Sequence, residues 1–579
     1  MPFFAAQHSL FRAYDIRGSR QHFTDDFVHA LGYAFAHLYQ VQQNSDNKKN
    51  IVVIGYDVRH DSDVIAHRLA DILSECGLAV VQLGMITTPM MVFWAEQYQG
   101  HGIIVTASHS AKDILGVKWL VNHQSPSVED IQALYQQVIQ QQFTARSLDN
   151  SLLVNSGLSE YERQKTAETY LKVEQTYLSA EQVAAPYIDA IVQVFKALYT
   201  CDNQSLLTKL DLVVVIDCMH GATSHIAKQL FAHFCRHVIM LNDLPDGDFP
   251  TGNPDPTEPH RLKQLQQSVI YHHADIGIAF DGDGDRLMIV DNIGQVVTPD
   301  HLLYLLAKVT LSQRPAACTH SQSQSQPLPQ ILFDIKCSHH LPKLLAELGA
   351  EPIISKTGSS LMRQQMQNPT GHIVFAGELS GHFIFNDSRF IVYDDAMYAA
   401  LRLLHWLAPA TSNRFDTPIN LAGLIHHLPD IVSTADHYLP LPASRLTDCS
   451  LVEQLTRLCV YLQQLIKATA APSTLSADQV LSPCQRALCS CSIKSLPISI
   501  EQAKDLLPVG TKLSCIDGVR LDFAHGFGVL RQSNTSHNLT ARFAGDSMAD
   551  LQDIQAKFAA LCRPFDKNLA AQIMAISPQ

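Results

Sequence analysis

A chain of 579 residues with 46% hydrophobic and 17% charged residues carries material for roughly three to five cored domains and excludes a disordered polymer. Its formal net charge of -13 argues against a nucleic acid or an anionic membrane as partner over the whole surface. It leaves open a small phosphate, which a local cluster of arginine and lysine can hold.

The amino-terminal stretch MPFFAAQHSLFRAYDIRG has no positively charged leader region and only a short apolar run, so it does not read as a signal peptide. Within it, residues 11–18 (FRAYDIRG) set Arg12, Asp15 and Arg17 among apolar residues, ending at Gly18. Two readings stay open: a surface turn with its charges in water, or a loop whose guanidinium reaches an anion. Residues 51–59 (IVVIGYDVR) predict a buried strand ending in Gly55 and polar residues. A helix follows, with Asp61 or Ser62 as N-cap and Val64, Ile65, Leu69, Ile72 and Leu73 at helical spacing. Leu78 to Gly84 predicts a strand, Thr87-Thr88-Pro89 a turn, and a short helix comes next. Ile103-Ile104-Val105 then predicts a strand that breaks into Thr106-Ala107-Ser108-His109, delivering a hydroxyl to a loop at its carboxyl end. Ligands collect at that edge of open α/β sheets. The alternation of strand and helix predicts parallel βαβ units.

The glutamine-rich, largely helical region 126–200 is expected to hold the first domain boundary. Asp211 to Asp217 starts a second α/β unit, followed by His220-Gly221-Ala222 leading into a helix. Residues 245–259 (PDGDFPTGNPDPTEP) predict a long irregular loop. The strand Ile276 to Phe280 runs directly into DGDGDR at 281–286. A third unit begins near Asp300, with a strand from Ile331 to Asp334 and a helix over 339–348. Residues 312–330 are low in complexity and predict a surface insertion. From about residue 430 the texture changes to short strands, the loop Arg531-Gln532-Ser533-Asn534-Thr535 and a final helix. No run of about 18 apolar residues predicts a membrane span. The thirteen cysteines, with Cys489 and Cys491 the nearest pair, form neither a disulfide framework nor a zinc constellation. The expectation is a cytoplasmic, multidomain protein.

DGDGDR is the strongest local signal. Three carboxylates at alternate positions, with glycines between them, let a tight turn aim all three at one hard cation such as magnesium. An EF-hand fails, because its sixth position would be Arg286 instead of glycine and its twelfth Asn292 instead of glutamate. An aspartyl-phosphate enzyme, in which a D-x-D follows a strand and its first carboxylate is the nucleophile, stays open on these residues alone.

Several of these segments together resemble the α-D-phosphohexomutase family, and within it the bacterial phosphomannomutase/phosphoglucomutase branch. The serine loop looks like TASHS with Gly116 and Lys118 downstream, and the metal loop is similar to DGDGDR. The sugar loop looks like Gly377-Glu378-Leu379-Ser380-Gly381-His382, and the phosphate loop resembles RQSNT at 531–535 with Arg542 shortly after. FRAYDIRG, DIKCS at 334–338 and KTG at 356–358 also look like family segments, so that the likeness spans nearly the whole chain.

The resemblance implies an α/β fold of three related domains with mixed sheets plus a smaller α+β C-terminal domain, heart-shaped around a central active-site cleft. The divisions expected are 1–165 with the serine loop, 166–297 with the metal loop, 298–425 with the sugar loop, and 426–579 with the phosphate loop. It implies that Ser108 carries a phosphoryl group and that one magnesium ion per chain sits on Asp281, Asp283, Asp285 and a phosphoserine oxygen. Glu378 and Ser380 would bind sugar hydroxyls, and Arg531, Ser533, Asn534 and Thr535 the non-reacting phosphate. Tyr14, Arg286, Lys336, Thr357 and Gly358 would line the substrate path. Lys118, His382 and Arg17 are the candidates for the general base, with His109 beside the serine in either a structural or a proton-transfer role.

The implied reaction interconverts hexose 1- and 6-phosphates of mannose, glucose or both, through a 1,6-bisphosphate that also serves as activator. The partners implied are small hexose phosphates, with no nucleic acid and no membrane, for a monomer or weak homodimer. A sugar-phosphate phosphatase, a non-catalytic sensor and, inside the family, a phosphoglucosamine mutase are the alternatives. The chain departs from the family pattern at Ser110-Ala111, where Asn-Pro is usual, at Ser359, where histidine often follows KTG, and at His537, where a proline often closes the phosphate loop. These departures leave the nucleophile and metal ligands intact and bear on substrate affinity and sugar preference.

Overall fold

The computed structural model describes residues 4–42, 50–140, 175–201, 209–258, 260–313, 327–367, 372–412, 420–440, 451–470, 498–533, 538–564 and 566–577. Most of the 312–330 stretch and of 126–200 between 141 and 174 therefore lies outside the described residues, as do Asn534, Thr535 and His537. The chain divides into two compact units, Met1–Ile331 with Gly358–His426, and Leu332–Thr357 with His427–Gln579.

The first unit opens with a six-stranded sheet of β1 (Ile16–Ser19), β2 (Ile51–Tyr56), β3 (Ala79–Met85), β4 (Gly102–Val105), β5 (Ile114–Leu120) and β6 (Gln175–Tyr177), in the order β1-β5-β4-β2-β3-β6. Helices α1 (Asp25–Gln40), α2 (Ser62–Glu75) and α3 (Thr88–Glu96) connect and cover its strands. β2 runs parallel to β3 and β4, and β3 parallel to β6, as the alternation of strand and helix predicts. β5 instead runs antiparallel to β4 and to β1. The serine loop between β4 and β5 is too short for a crossover of a dozen residues, so the chain doubles back on itself. Thr87-Thr88-Pro89, expected as a turn, is the start of α3. Thr87 is its N-cap, accepting from the Met90 N–H, and the proline falls in the first turn. Buried Phe27, Leu31 and Phe35 of α1 pack with Val52, Ile54, Ile103 and Val105 in the core under this sheet.

A second sheet has the order β11-β10-β9-β7-β8, built from β7 (Leu210–Asp217), β8 (Cys235–Leu241), β9 (Ile276–Phe280), β10 (Leu287–Val290) and β11 (Val296–Val297). β7 is parallel to β8 and β9, while β10 returns antiparallel to β9 through 281–286. Every residue of β9 and β10 is buried, as their continuous apolar runs require.

β12 (Gln330–Asp334) leads into the second unit, where a helix over Leu341–Glu347 precedes β13 (Glu351–Ser355). The chain returns to the first unit through the antiparallel hairpin of β14 (Ile373–Gly377) and β15 (Phe383–Phe385), then a helix over Ala396–Ser412. The first residue of that helix donates its N–H to Gly284 O at 3.2 Å, fixing the 281–286 turn.

The carboxyl-terminal part of the second unit is a sheet of β16 (Val432–Ser433), β17 (His437–Leu439), β18 (Lys512–Ser514), β19 (Val519–Phe523), β20 (Gly526–Gln532) and β21 (Leu539–Gly545). Its strand pairings are antiparallel throughout the described residues, and helices Leu451–Ala470 and Met548–Cys562 supply apolar faces to its core. Arg520 of β19, 1% exposed, donates to the carbonyls of Ile335 and Cys337 and lies 4.1 Å from the Phe527 ring centroid. That contact fastens the 332–357 segment to the sheet. Among the described residues no helix is long and apolar enough to cross a membrane.

Candidate active site

Ser108 stands just past the end of β4, 2% exposed, with φ of +52°. A non-glycine residue in that left-handed region costs roughly 1–2 kcal/mol and persists only where its surroundings over-determine it. Here they do. Thr106 Oγ1 accepts from the Ser108 N–H at 2.9 Å and donates to Asp57 Oδ2 at 2.7 Å. The guanidinium of Arg59, wholly buried, donates to the carbonyls of Ser108 and Ser110 at 2.6 Å each. It also reaches Ala111 O at 2.7 Å and Ile114 O at 3.1 Å, while its Nε donates to Asp57 Oδ2 at 3.1 Å. Arg17 of β1 adds a contact from Nη1 to Ser110 Oγ at 3.2 Å. The loop is thus held by two arginines, both of which reach Ser110.

The turn 281–286 is organised by its own first carboxylate. Asp281 Oδ1 accepts from the N–H groups of Gly284, Asp285 and Arg286 at 3.0–3.1 Å, and Oδ2 accepts from Ser108 Oγ at 2.6 Å. Gly284 closes the turn at φ +78°, a conformation open to glycine without penalty. Gly282 is required for a different reason: a Cβ there would lie 2.5 Å from Ser108 O. Asp283 Oδ2 accepts from Thr88 Oγ1 at 2.5 Å and from Lys118 Nζ at 2.7 Å, and Lys118 also reaches Asp285 Oδ2 at 2.6 Å. The Thr88 N–H donates to Asp283 O at 2.9 Å, so the start of α3 braces the turn.

All three carboxylates are buried, and each offers an oxygen within 4.8 Å of the others. Burial, with the Asp285 and Asp283 charges beside it, pushes Asp281 well above the usual carboxylate range. Asp283 Oδ1 is buried with no hydrogen-bond partner. An oxygen left bare among converging acids is what a hard cation satisfies, so the residues fit a metal ion.

Three further titratable groups face this centre. Burial works against the charge on Lys118, but Asp283 and Asp285 outweigh it and hold the ammonium well above its ordinary pKa. Burial likewise opposes charge on His382, and Asp285 and Glu378 reverse the sign, raising the imidazolium to about 10. His109 goes the other way. Burial, helped by Arg286 and Arg17, pushes it well below 6.5, so it is a neutral imidazole, its Nδ1 3.2 Å from Ser108 Oγ and its Nε2 3.3 Å from Arg286.

The expected sugar loop is the turn of the β14–β15 hairpin. The Glu378 N–H donates to His382 O at 2.9 Å, and Glu378 Oε1 accepts from the Gly358 N–H at 2.5 Å. Ser380 Oγ lies 3.1 Å from Glu378 Oε2 and 2.8 Å from His382 Nδ1. The Leu287 N–H donates to Gly381 O at 2.9 Å, and His382 Nε2 lies 3.3 Å from Asp285 Oδ1, which together lock this loop to the metal turn. Gly358, at φ +134°, lies against the Tyr14 ring so closely that a Cβ would sit 2.8 Å from it.

In the second unit two acidic residues gather the remaining expected cations. Lys336 Nζ lies 2.8 Å from Asp436 Oδ2, and Arg542 Nη1 lies 3.6 Å from Asp436 Oδ1 while Nη2 donates to Ser433 Oγ at 3.0 Å. Arg531 Nε donates to Asp517 Oδ2 at 2.8 Å, and that same oxygen lies 3.3 Å from the Thr357 nitrogen. Ser533 is buried and its N–H donates to Asn538 O at 2.9 Å.

The first unit therefore assembles Ser108, His109, Lys118, Arg17, Asp281, Asp283, Asp285, Arg286, Glu378, Ser380 and His382, with Tyr14 against Gly358. The second assembles Lys336, Thr357, Arg531 and Ser533. Sequence reasoning missed Asp57, Arg59 and Thr88. The D-x-R directly after β2 was a usable signal, since it falls at the same sheet edge as the serine loop; Thr88 carried none, because its partner is distant in sequence.

The chain matches three family models: phosphoglucomutase/phosphomannomutase α/β/α domain I over residues 8–145, domain II over 185–294 and domain III over 298–422. It is 30% identical to a phosphomannomutase/phosphoglucomutase of Pseudomonas syringae pv. tomato, covering 95% of this chain and 94% of that one. It is 28% identical to a phosphoglucomutase of Neisseria gonorrhoeae, over 95% of this chain and 96% of that one. A crystal structure of a phosphoglucomutase/phosphomannomutase family protein from Burkholderia thailandensis superposes with a TM-score of 0.67 at 27% identity, over 98% of this chain and 99% of that one. With three α/β domains in family order, a further carboxyl-terminal sheet domain, and the serine and acidic turn in contact, the chain belongs to the phosphoglucomutase/phosphomannomutase family.

Proposed function

We propose that the protein is a phosphohexomutase that interconverts the 1- and 6-phosphates of mannose, glucose or both through a phosphoserine at Ser108. One observation carries this reading: Ser108 Oγ sits 2.6 Å from a carboxylate of a buried three-aspartate turn. An acyl-transfer serine needs a base and an oxyanion hole, not an acidic cluster. Phosphoryl transfer needs alignment and neutralisation of charge. The names of the Pseudomonas and Neisseria relatives support mannose and glucose as the sugars.

In this reading the four domains are 1–165, 166–297, 298–425 and 426–579. Asp281, Asp283 and Asp285, with a phosphoserine oxygen, hold one magnesium ion, which supplies charge neutralisation on the migrating group. Glu378 and Ser380 orient sugar hydroxyls. Arg531, Ser533, Asn534 and Thr535 hold the non-reacting phosphate, and Lys336 and Arg542 add positive charge. In the half-reaction that reloads the enzyme, Ser108 Oγ forms a bond to phosphorus and the phosphorus–sugar oxygen bond breaks. The Ser108 proton passes to Asp281 Oδ2, the oxygen that accepts its hydrogen bond, and the departing sugar oxygen takes a proton from His382 or Lys118, both of which hold one. A hexose 1,6-bisphosphate activates the enzyme by loading Ser108.

The test is incubation with mannose 1-phosphate or glucose 1-phosphate, magnesium and a trace of the 1,6-bisphosphate, following 6-phosphate and free phosphate. Formation of 6-phosphate that Ser108→Ala abolishes is expected. Free phosphate alone would indicate a phosphatase, tight binding without turnover a sensor, and full activity in Ser108→Ala would sink the phosphoserine route.

A further inference from the structure

We propose that the second unit carries a transition-metal site of two imidazoles and one carboxylate, His339, His340 and Asp546, with His525 holding the far carboxylate oxygen, selective for zinc-like ions over magnesium. His339 Nε2 and His340 Nε2 lie 3.0 and 2.8 Å from Asp546 Oδ1, and His525 Nδ1 lies 3.0 Å from Asp546 Oδ2. The His339, His340 and Asp546 ligand atoms all fall within 4.8 Å of one another.

These residues come from three separate places in the chain. His339 and His340 precede the helix Leu341–Glu347, His525 lies on the turn between β19 and β20, and Asp546 follows β21. The Asp546 N–H donates to His525 O at 3.0 Å, which fixes two of the three segments to each other. The rings of His339 and His340 are 4.0 Å apart, so adjacent residues present both Nε2 atoms on one side.

A tetrahedral ion with nitrogen and oxygen ligands at about 2.0–2.1 Å separates its ligand atoms by roughly 3.3 Å. The present 2.8–3.0 Å spacings need to open by only a few tenths of an ångström. His339 Nδ1 is buried with no hydrogen-bond partner, so no second contact fixes the ring tautomer and Nε2 is free to present a lone pair. An imidazole-rich set with one carboxylate selects zinc, cobalt, nickel or copper and is poor for magnesium, the reverse of the all-oxygen turn at 281–285. Side-chain exposure rises from 7% at His339 through 26% at His340 to 69% at His525, giving an ion a route in from solvent. A bound ion staples the 332–357 segment, which carries Lys336, to the β20–β21 pair next to Arg531. This site does not depend on the proposed reaction.

The test uses the full chain in excess Mg2+, titrated with Co2+ and read by visible absorption. One equivalent producing a tetrahedral cobalt spectrum, abolished in His340→Gln and in Asp546→Asn, is expected. Zn2+ should displace the cobalt and raise the thermal midpoint of the wild type but not of His340→Gln. X-ray absorption of the zinc-loaded wild type, which needs no variant to fold, should show two imidazole nitrogens with oxygen completing the shell. Absence of a tetrahedral spectrum, an unchanged spectrum in His340→Gln, or an all-oxygen zinc shell overturns the proposal.

Discussion

Arg59→Met tests whether the serine loop is held from inside the domain. The substitution removes five side-chain hydrogen bonds, four to carbonyls of residues 108, 110, 111 and 114 and one to Asp57. Hydrogen bonds to a charged group contribute roughly 1.5–3 kcal/mol each, but they share one cation and do not add. The better measure is the cost of deleting one member of a buried ion pair, about 3–5 kcal/mol, because Asp57 is left charged at 1% exposure. At roughly 2–4 °C per kcal/mol for a domain of this size, the thermal midpoint should fall by about 6–20 °C. Asp57→Asn combined with Arg59→Met should recover part of that loss. Turnover should fall as well, since a shift of about 1 Å at a reacting atom costs on the order of 100-fold. The assays are thermal unfolding of both variants and 6-phosphate formation with saturating Mg2+. Arg59→Met within 1–2 °C of wild type and within about threefold of its turnover would show that the four carbonyl contacts do not position Ser108.

Gly282→Ala drives a methyl against Ser108 O and should part the serine loop from the metal turn, lowering turnover at least about tenfold with a small change in thermal midpoint; normal turnover refutes that contact. Lys118→Met removes the ammonium that bridges Asp283 and Asp285, so Mg2+ should raise the thermal midpoint more than in wild type, and equal stabilisation would show that ammonium and cation do not compete. His405 is held neutral by burial and by Arg402 and Arg389, its pKa lowered from 6.5 to about 4. The unfolded chain therefore takes up a proton that the folded chain refuses, and stability falls as pH drops from 6.5 towards 4, by at most about 1.4 kcal/mol per pH unit. Denaturant unfolding across that range should be flatter in His405→Phe, and an identical slope refutes the assignment.

What was legible in the sequence was local. DGDGDR announces a turn because its glycines and acids are contiguous, and Ile103–Val105 announces a strand because its apolar run stops at small polar residues. The antiparallel return of β5 was hidden, since alternation of strand and helix says nothing about a strand that follows a short loop. Asp57, Arg59 and Thr88 were hidden for another reason: their partners lie far away in sequence, and an arginine after a strand reads as a surface charge until its carbonyl acceptors are seen. The unequal states of His109 and His382, both beside the same acids, were also out of reach. One faces Arg286 and the other Asp285 and Glu378, and only the fold sets those neighbours.

The left-handed backbone at Ser108 sets folding and chemistry against each other at one residue. Glycine suits that conformation and lacks the hydroxyl; alanine lacks the hydroxyl and keeps the strain. Ser108→Gly should therefore match or exceed the stability of Ser108→Ala, although glycine ordinarily lowers stability by freeing the unfolded chain. Selection for thermal resistance alone would favour glycine here, so the hydroxyl of the proposed phosphoryl carrier is kept at a cost in stability.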